Sequence, residues 1–326
     1  MNARPLIPAA AVTTAAALSM VALSACTNHT SGRTEDGKLK VVASFYPLEF
    51  LAERIGGGYV EVSTLTKPGV EPHDLDISPR QTARLSDAGL VVYLEGLQPA
   101  VDEAVGQAEP RHVADAADFT RFEDHGTEVH GEESDHADDG EDAHAGHDHG
   151  ADAGSDPHVW LDPVRYAEVA RGVGKALEKA DPDHAGAYRR NTAALVKELG
   201  ALNTEFREGL ADRTTDTFIT THAAFGYLAE RYGLTQEAIS GVDPESEPSP
   251  ARMRALHEVA EEDKVGTVFF ETLASDKTAK TLAGDLHLKT DVLDPIEGIS
   301  DTSKGDDYFA VQRANLKALQ RALGAK

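Results

Sequence analysis

Short apolar runs alternate with amphipathic segments along most of the chain, and this alternation predicts its secondary structure. Runs rich in β-branched and aromatic residues are typical of buried strands, and they occupy residues 38–44, 60–65, 90–94, 217–220, 235–239, 265–270 and 290–293. Segments with apolar residues at helical spacing lie between them, at residues 47–55, 79–87, 99–107, 163–179, 182–208, 223–232, after Pro250, after Ser275 and at 308–323. Strands that alternate with helices indicate parallel sheets covered by helices.

The segment at residues 182–208 predicts a long helix between two halves of this pattern. Apolar residues at Leu195, Leu199 and Leu202 give it a buried face, and at 1.5 Å per residue it is roughly 40 Å long. A helix of that length can serve as a stiff connector. We therefore divide the ordered chain into an N-terminal α/β lobe at 38–181, a linker helix at 182–210 and a C-terminal α/β lobe at 211–326.

Residues 1–25 are typical of a bacterial secretory signal peptide. A cationic start precedes an apolar stretch at 9–23, and the sequence Leu-Ser-Ala-Cys at 23–26 resembles a lipobox, where a signal peptidase cuts before a lipidated cysteine. The apolar stretch is short and rich in small residues for a transmembrane span, although an uncleaved anchor is the alternative. The pattern predicts lipidation of Cys26, a flexible tether at 26–37, and a protein held outside the cytoplasm, in the periplasm or on the outer face of the membrane.

Length and charge limit the classes of function. The chain has 326 residues, enough for two domains of ordinary size. Its formal net charge of −25 argues against nucleic acid as a partner, because a phosphate backbone would be repelled. The single cysteine excludes a disulfide framework.

An acidic, histidine-rich segment at residues 123–155 interrupts the regular pattern. Residues 123–156 contain 13 Asp or Glu, six His and no Lys or Arg. Such a segment buries little apolar surface, so we expect a disordered, solvated loop. Its imidazoles and carboxylates are ligands of borderline metals, and they predict weak auxiliary metal binding at His125, His130, His136, His144, His147 and His149. A plain polar linker is the alternative.

Four further polar residues lie at strand ends or in loops that should be ordered. These are His73, His158, His222 and Asp294, separated by 85, 64 and 72 residues, which excludes a local metal-binding motif. Ligands of open parallel sheets collect beyond the carboxyl ends of the strands. If two such crevices face each other, three imidazoles and a carboxylate make a near-tetrahedral site suited to Zn²⁺. A histidine hydrogen-bonded in a turn is the alternative for each one singly.

The chain resembles the metal-binding solute-binding proteins of bacterial ABC importers, the ZnuA-type zinc and manganese family. Motifs in matching order carry the resemblance over residues 38–323: Val-Val-Ala-Ser-Phe-Tyr-Pro (41–47), Gly-Val-Glu-Pro-His-Asp (69–74), Leu-Val-Val-Tyr (90–93), Asp-Pro-His-Val-Trp-Leu-Asp-Pro (156–163), Thr-His-Ala-Ala-Phe-Gly-Tyr (221–227), Val-Phe-Phe-Glu (268–271) and Leu-Asp-Pro (293–295). The resemblance implies two α/β lobes, each with a mostly parallel sheet, joined by one long rigid helix with the metal in the cleft between them.

The same resemblance implies a ligand set. The family's ligands fall on His73, His158, His222 and, last, Asp294. Manganese-binding members resemble this pattern with a carboxylate in third place, so His222 favours zinc. Glu71 and Glu271 are alternatives to Asp294, or residues that hold a ligand in place by a hydrogen bond.

We expect a monomeric, lipid-anchored zinc-binding protein that is not an enzyme and that delivers Zn²⁺ to an ABC permease. A manganese-binding homologue, a surface adhesin and a metal chaperone are alternatives on the same fold. A zinc hydrolase is a less favoured alternative, because it needs an open metal position and a general base. Glu271 is the candidate base, and four protein ligands would argue against this reading.

Overall fold

A computed structural model describes residues 32–125 and 156–325 of the chain. Within these residues the strands form two sheets of four strands each, and neighbouring strands are parallel throughout. The two-lobed α/β fold class is therefore confirmed.

The first sheet has the order β2-β1-β3-β4. Its strands are β1 Leu39–Ala43, β2 Val60–Thr64, β3 Leu90–Tyr93 and β4 Val113–Asp115. The two central strands are nearly all buried, as expected for apolar runs covered on both faces. Helices of this lobe are α1 Tyr46–Gly56, α2 Pro79–Asp87 and α3 Pro99–Ala108. Each has proline in its first turn, where the missing N–H costs no hydrogen bond.

The second sheet repeats this topology with the order β6-β5-β7-β8. Its strands are β5 Thr217–Thr220, β6 Thr235–Ala238, β7 Thr267–Phe270 and β8 Lys289–Val292. Four helices belong to this part: α6 Gly226–Tyr232, α7 Pro250–Glu262, α8 Lys277–Asp285 and α9 Tyr308–Leu323. Their numbers follow the chain order, in which two connecting helices come before them. In both sheets the connections cross over at the centre, so each has a crevice at its carboxyl edge.

Two helices, α4 Pro163–Ala180 and α5 Ala185–Gly209, connect the sheets. The 25 residues of α5 extend about 37 Å, and its inward side chains are fully buried in an apolar core that includes residues of both sheets. On its surface, Arg54 of α1 pairs with Glu198 and Arg313 of α9 pairs with Glu205. The helix therefore packs against both lobes along its length, which makes it a stiff connection.

The hydrophobic pattern located most elements within a few residues. The prediction missed β4, a three-residue edge strand with a single fully buried side chain. It also started α6 three residues early, at 223, and included in α5 the short 3₁₀ turn Pro182–His184. Cys26, the signal segment and five loop histidines lie outside the described residues: His130, His136, His144, His147 and His149. In the part of the chain that is described, no helix combines the length and apolarity needed to cross a membrane.

Candidate metal centre

Three histidines and a glutamate converge where the two lobes meet. His73, His158, His222 and Glu297 each offer a ligand atom, and these atoms lie within 4.8 Å of one another. His73 follows β2, His222 follows β5 and Glu297 follows β8, so all three lie beyond the carboxyl ends of strands. His158 comes from the segment that precedes α4. Each lobe thus supplies two of the four groups.

His158 is held by its neighbours in the Asp-Pro-His-Val-Trp motif. Asp156 Oδ1 accepts hydrogen bonds from the His158 backbone N–H at 2.9 Å and pairs with Nδ1 at 2.8 Å. The Trp160 ring packs beside the imidazole, with ring centroids 5.1 Å apart, and its Nε1 donates to the Pro295 carbonyl of the other lobe at 2.7 Å. These contacts hold the fully buried imidazole of His158 so that its Nε2 points toward the other three ligand groups.

His222 lies two residues after the end of β5, and Glu271 directly follows the neighbouring β7. Glu271 Oε1 accepts from the His222 backbone N–H at 3.2 Å and lies 2.7 Å from Nδ1, off the ideal hydrogen-bond direction. The same oxygen accepts from the Thr221 hydroxyl. Glu271 thus holds His222 in place, which is the supporting role considered for it, and it is not among the four converging groups.

His73 occupies a loop between β2 and α2. Glu71 Oε1 accepts from the His73 backbone N–H at 2.8 Å, and the Gln98 side chain donates to the Pro72 carbonyl at 3.0 Å. Glu71 Oε2 is buried without a hydrogen-bond partner among the described residues. Burial, with Glu297 nearby, raises the pKa of Glu71, so the neutral form of this carboxyl is favoured.

The fourth converging group is Glu297, where the sequence pointed to Asp294. Asp294 lies outside the cluster because its carboxylate supports the turn that leads there: Oδ1 accepts from Ile296 N–H at 2.8 Å and Oδ2 from Thr272 at 3.1 Å. Ile296 has φ of +59°, a conformation rare for a β-branched residue. This turn brings the Glu297 carboxylate to the three imidazoles, whereas Asp294, the expected fourth ligand, lies outside the converging group.

Four of the six distances among the ligand atoms are close to those of a tetrahedral zinc site. Glu297 Oε1 lies 3.4 Å from His73 Nε2, 3.2 Å from His158 Nε2 and 3.6 Å from His222 Nε2. The His158 and His222 Nε2 atoms are 3.4 Å apart. Zinc bonds of 2.0–2.2 Å arranged as a tetrahedron require ligand atoms roughly 3.3–3.6 Å apart. The residues therefore fit Zn²⁺ with little rearrangement.

Charges inside the cluster stabilise one another. Burial alone would raise the pKa of Glu297, but hydrogen bonds with the three imidazoles hold it well below its usual range. Burial opposes protonation of His158 and His222, yet Asp156 and Glu297 raise the pKa of His158, and Glu271 and Glu297 raise that of His222. The Glu297 carboxylate thus favours protonation of His158 and His222 in the metal-free protein.

A cavity of about 300 Å³ reaches Glu297 from the side of α1. Acidic side chains on that helix, Glu49 and Glu53, line it together with Lys67 and Thr66. Burial raises the pKa of Glu49. These carboxylates favour the approach of a cation from this side, because negative charge in a concave surface raises the local cation concentration.

Two parallel-sheet lobes with converging polar side chains between them define the class of two-lobed α/β binding proteins. Residues 41–322 match the ZnuA family, described as the periplasmic component A of a zinc-uptake complex. The chain belongs to this family.

Relatives with printed functions are similar over most of the chain. The zinc-binding lipoprotein AdcA of Streptococcus pneumoniae is 36% identical over 316 residues, covering 94% of this chain and 59% of AdcA. The chain thus spans about 59% of the length of that relative. The high-affinity zinc uptake system protein ZnuA of Bacillus subtilis is 35% identical over 313 residues, covering 93% of this chain and 94% of ZnuA.

Solved structures show the same fold. Zn(II)-bound AdcA of Streptococcus pneumoniae has a TM-score of 0.70 at 31% identity, covering 89% of this chain and 59% of AdcA. The laminin-binding protein Lmb of Streptococcus agalactiae, described as bifunctional with adhesin and metal-transporting activity, has a TM-score of 0.74 at 28% identity. That match covers 88% of this chain and 99% of Lmb.

Proposed function

We propose that this protein captures Zn²⁺ between its lobes, outside the cytoplasm, and delivers it to the permease of an ABC importer. Its ligands are His73, His158, His222 and Glu297, and a lipid on Cys26 holds it at the membrane surface. The observation that carries the proposal is the convergence of three imidazoles and one carboxylate oxygen, four of whose mutual distances suit a tetrahedral Zn²⁺ site.

Ligand chemistry favours zinc over manganese. Three imidazoles are softer ligands than the oxygen-rich sets that Mn²⁺ prefers, and Mn²⁺ commonly takes six ligands. Four groups converge among the described residues, and a tetrahedron uses all of them. The names of the relatives from Streptococcus pneumoniae and Bacillus subtilis, which specify zinc, support the same choice.

Binding without catalysis suits this ligand set. A catalytic zinc site keeps an open position for water and needs a base within reach of that water. Here a fourth protein group occupies the remaining tetrahedral position. Glu271, the candidate base, is engaged with Thr221 and His222. A hydrolase is therefore the weaker reading.

Metal analysis of the purified full chain tests the proposal. We expect one tightly held Zn²⁺ per chain, which a chelator of known affinity removes and which Mn²⁺ does not displace at equal concentration. Preferential retention of Mn²⁺, or zinc binding that Glu297→Gln and His222→Ala leave unchanged, would overturn it. Transport by a cell that lacks its own zinc-binding protein, with and without Cys26→Ala, tests delivery and anchoring.

A further inference from the structure

A second group of metal-ligating side chains lies at the base of the acidic, histidine-rich segment. Glu123, His125 and Glu230 each bring one ligand atom within 4.8 Å of the others. Glu123 and His125 lie at the start of that segment, and Glu230 lies on α6. None of these residues belongs to the group formed by His73, His158, His222 and Glu297, which we call the cleft cluster. We call this group the loop-base cluster.

We propose that the loop-base cluster is a second Zn²⁺ site, weaker than the cleft, at the point where the acidic segment joins the folded protein. The inference stands on the orientation of His125, on the space built for its ring and on the balance of charge around it.

Two carboxylates fix the orientation of the His125 ring. Nδ1 lies 3.0 Å from Asp156 Oδ2 and Nε2 lies 3.1 Å from Glu230 Oε2. Metal-binding histidines characteristically donate one ring N–H to a carboxylate, which leaves the other nitrogen free for the metal. Burial opposes protonation of His125, but hydrogen bonds with Asp156 and Glu230 raise its pKa, so Zn²⁺ must displace the proton on Nε2. With Nδ1–H still donated to the buried Asp156, the deprotonated Nε2 then faces the metal beside Glu230, and Glu123 is within reach.

The fold provides a fitted place for this ring. Tyr227 packs against it edge-on, with ring centroids 4.3 Å apart. Gly226 leaves the necessary space, because a Cβ at that position would collide with His125. The two ends of the segment are joined here, since the Asp156 N–H donates to the Glu123 carbonyl at 3.1 Å and the Tyr227 hydroxyl donates to the Asp156 carbonyl at 2.9 Å.

Charge around the loop-base cluster favours a divalent cation of modest affinity. Glu123, Glu230 and Asp156 contribute three negative charges. Arg165 contributes one positive charge, with its Nη2 2.5 Å from Glu123 and 3.9 Å from Glu230. With His125 neutral the group carries about two negative charges, which Zn²⁺ would balance. Arg165 competes for both glutamates, so binding is weaker than in the cleft.

The test uses the full chain with the five other loop histidines changed to Asn, namely His130, His136, His144, His147 and His149. Titration with Zn²⁺ should then give one tight equivalent and one weaker equivalent. In the same background Glu230→Gln should weaken the second equivalent at least tenfold and leave the first unchanged. Glu208→Gln, an exposed glutamate on α5, is the matched control and should change neither.

Glu230→Gln separates metal binding from a purely structural clasp, because the amide oxygen still accepts from His125. A second readout comes from ¹⁵N-histidine spectra, in which the second equivalent should shift one further ring, absent in His125→Asn. The proposal fails if the five-Asn chain binds a single equivalent, or if Glu230→Gln leaves the second equivalent unchanged. Loss of the first equivalent would instead contradict the cleft site.

Discussion

The cleft cluster and the loop-base cluster use the same chemistry in opposite surroundings. One carboxylate serves both, because Asp156 Oδ1 holds His158 while Oδ2 holds His125. In the cleft the side chains of His158 and Glu297 are fully buried. At the loop base the His125 side chain is 15% exposed and that of Glu230 is 55% exposed.

This difference shows that the presence of ligand atoms alone does not set affinity. Buried ligands in fixed positions lose little freedom when metal binds, and their charges act in a poorly screened environment. At the loop base, water screens Glu230 and Arg165 already pairs with Glu123. We therefore expect tight binding in the cleft and weak binding at the loop base.

The largest effect should come from removing a cleft imidazole. His222→Ala should lower the affinity of the tight equivalent by more than about 100-fold, beyond the 10–100-fold typical of residues that only orient a ligand. His125→Ala should change that equivalent far less, because Asp156 still accepts from His158. Competition against a zinc chelator measures both, with thermal unfolding as a check on folding. Equal losses in the two variants would erase the contrast between the clusters.

Acidification should release zinc from the cleft at an unusually high pH. Zn²⁺ needs neutral imidazoles, and the metal-free protein raises the pKa of His158 and His222. Protons therefore begin to compete with Zn²⁺ for the imidazole nitrogens at a pH above the ordinary histidine pKa of about 6.5. Each proton that Zn²⁺ must displace lowers the affinity by up to about tenfold per pH unit. Zinc titrations from pH 8.5 to 5.5 measure this decline. An affinity that stays flat down to pH 6.5 would contradict the raised pKa values.

The folding stability of the metal-free protein should respond in the opposite sense. A histidine whose pKa is raised on folding stabilises the protein fully below its unfolded pKa, and this contribution is lost as the pH rises through the folded value. Glu297, with its lowered pKa, stabilises the protein above its unfolded pKa and loses this effect as the pH falls through the folded value. Denaturant unfolding of the metal-free chain from pH 8.5 to 5.5 checks the sign for the histidines. Extending the series below the ordinary glutamate pKa of about 4.3 checks the sign for Glu297.

Charge at the fourth position should matter more than charge in the supporting turn. Glu297→Gln removes the anion that faces Zn²⁺, and it should cost at least tenfold in affinity. Asp294→Asn keeps an oxygen that can accept from Ile296 N–H, so it should cost less. Burial raises the pKa of Asp294 to about 6, which means that burying its charge costs free energy that a neutral Asn would not incur. If Asp294→Asn proves the more damaging change, Asp294 is the ligand.

Sequence patterns predicted most of the strands and helices, because strands that are buried on both faces must be apolar. They also indicated where ligand residues lie, because ligands of parallel sheets collect beyond the carboxyl ends of the strands. His222 was found in this way, at the end of β5. Glu297 was not found, because its place depends on the Ile296 turn, and residue type gives no indication that a β-branched residue will adopt positive φ. Its only sequence signal is a second acid three residues after Asp294.

The loop-base cluster was only partly visible for a similar reason. His125 was grouped with the other loop histidines by composition, and nothing in the sequence distinguishes it from them. Glu230 looks like any exposed helical glutamate. His125 and Glu230 are 105 residues apart in the chain. They come close together only because the fold places α6 beside the two ends of the acidic segment.

The smallest effect on the cleft should come from shortening the acidic segment while keeping both clusters. We would replace residues 127–154 by two glycines, which leaves Glu123, His125 and Asp156 in place. The ends already meet through the hydrogen bond from Asp156 to Glu123, and loop-closure entropy changes by only about 0.6 kcal/mol per doubling of length. Thermal unfolding and the affinity of the tight equivalent should therefore change little.

The same deletion should alter how zinc arrives. Removing dense negative charge slows the encounter with cations at low ionic strength, and the difference from the full chain should shrink as added salt screens the charge. Stopped-flow loading at scarce Zn²⁺ measures this, and titration should show weak equivalents reduced to the one at the loop base. Loss of the tight equivalent would make a deleted histidine a cleft ligand. An unchanged loading rate would show that the segment does not help to collect zinc. The difference in affinity between the cleft and the loop base would then be unrelated to the segment.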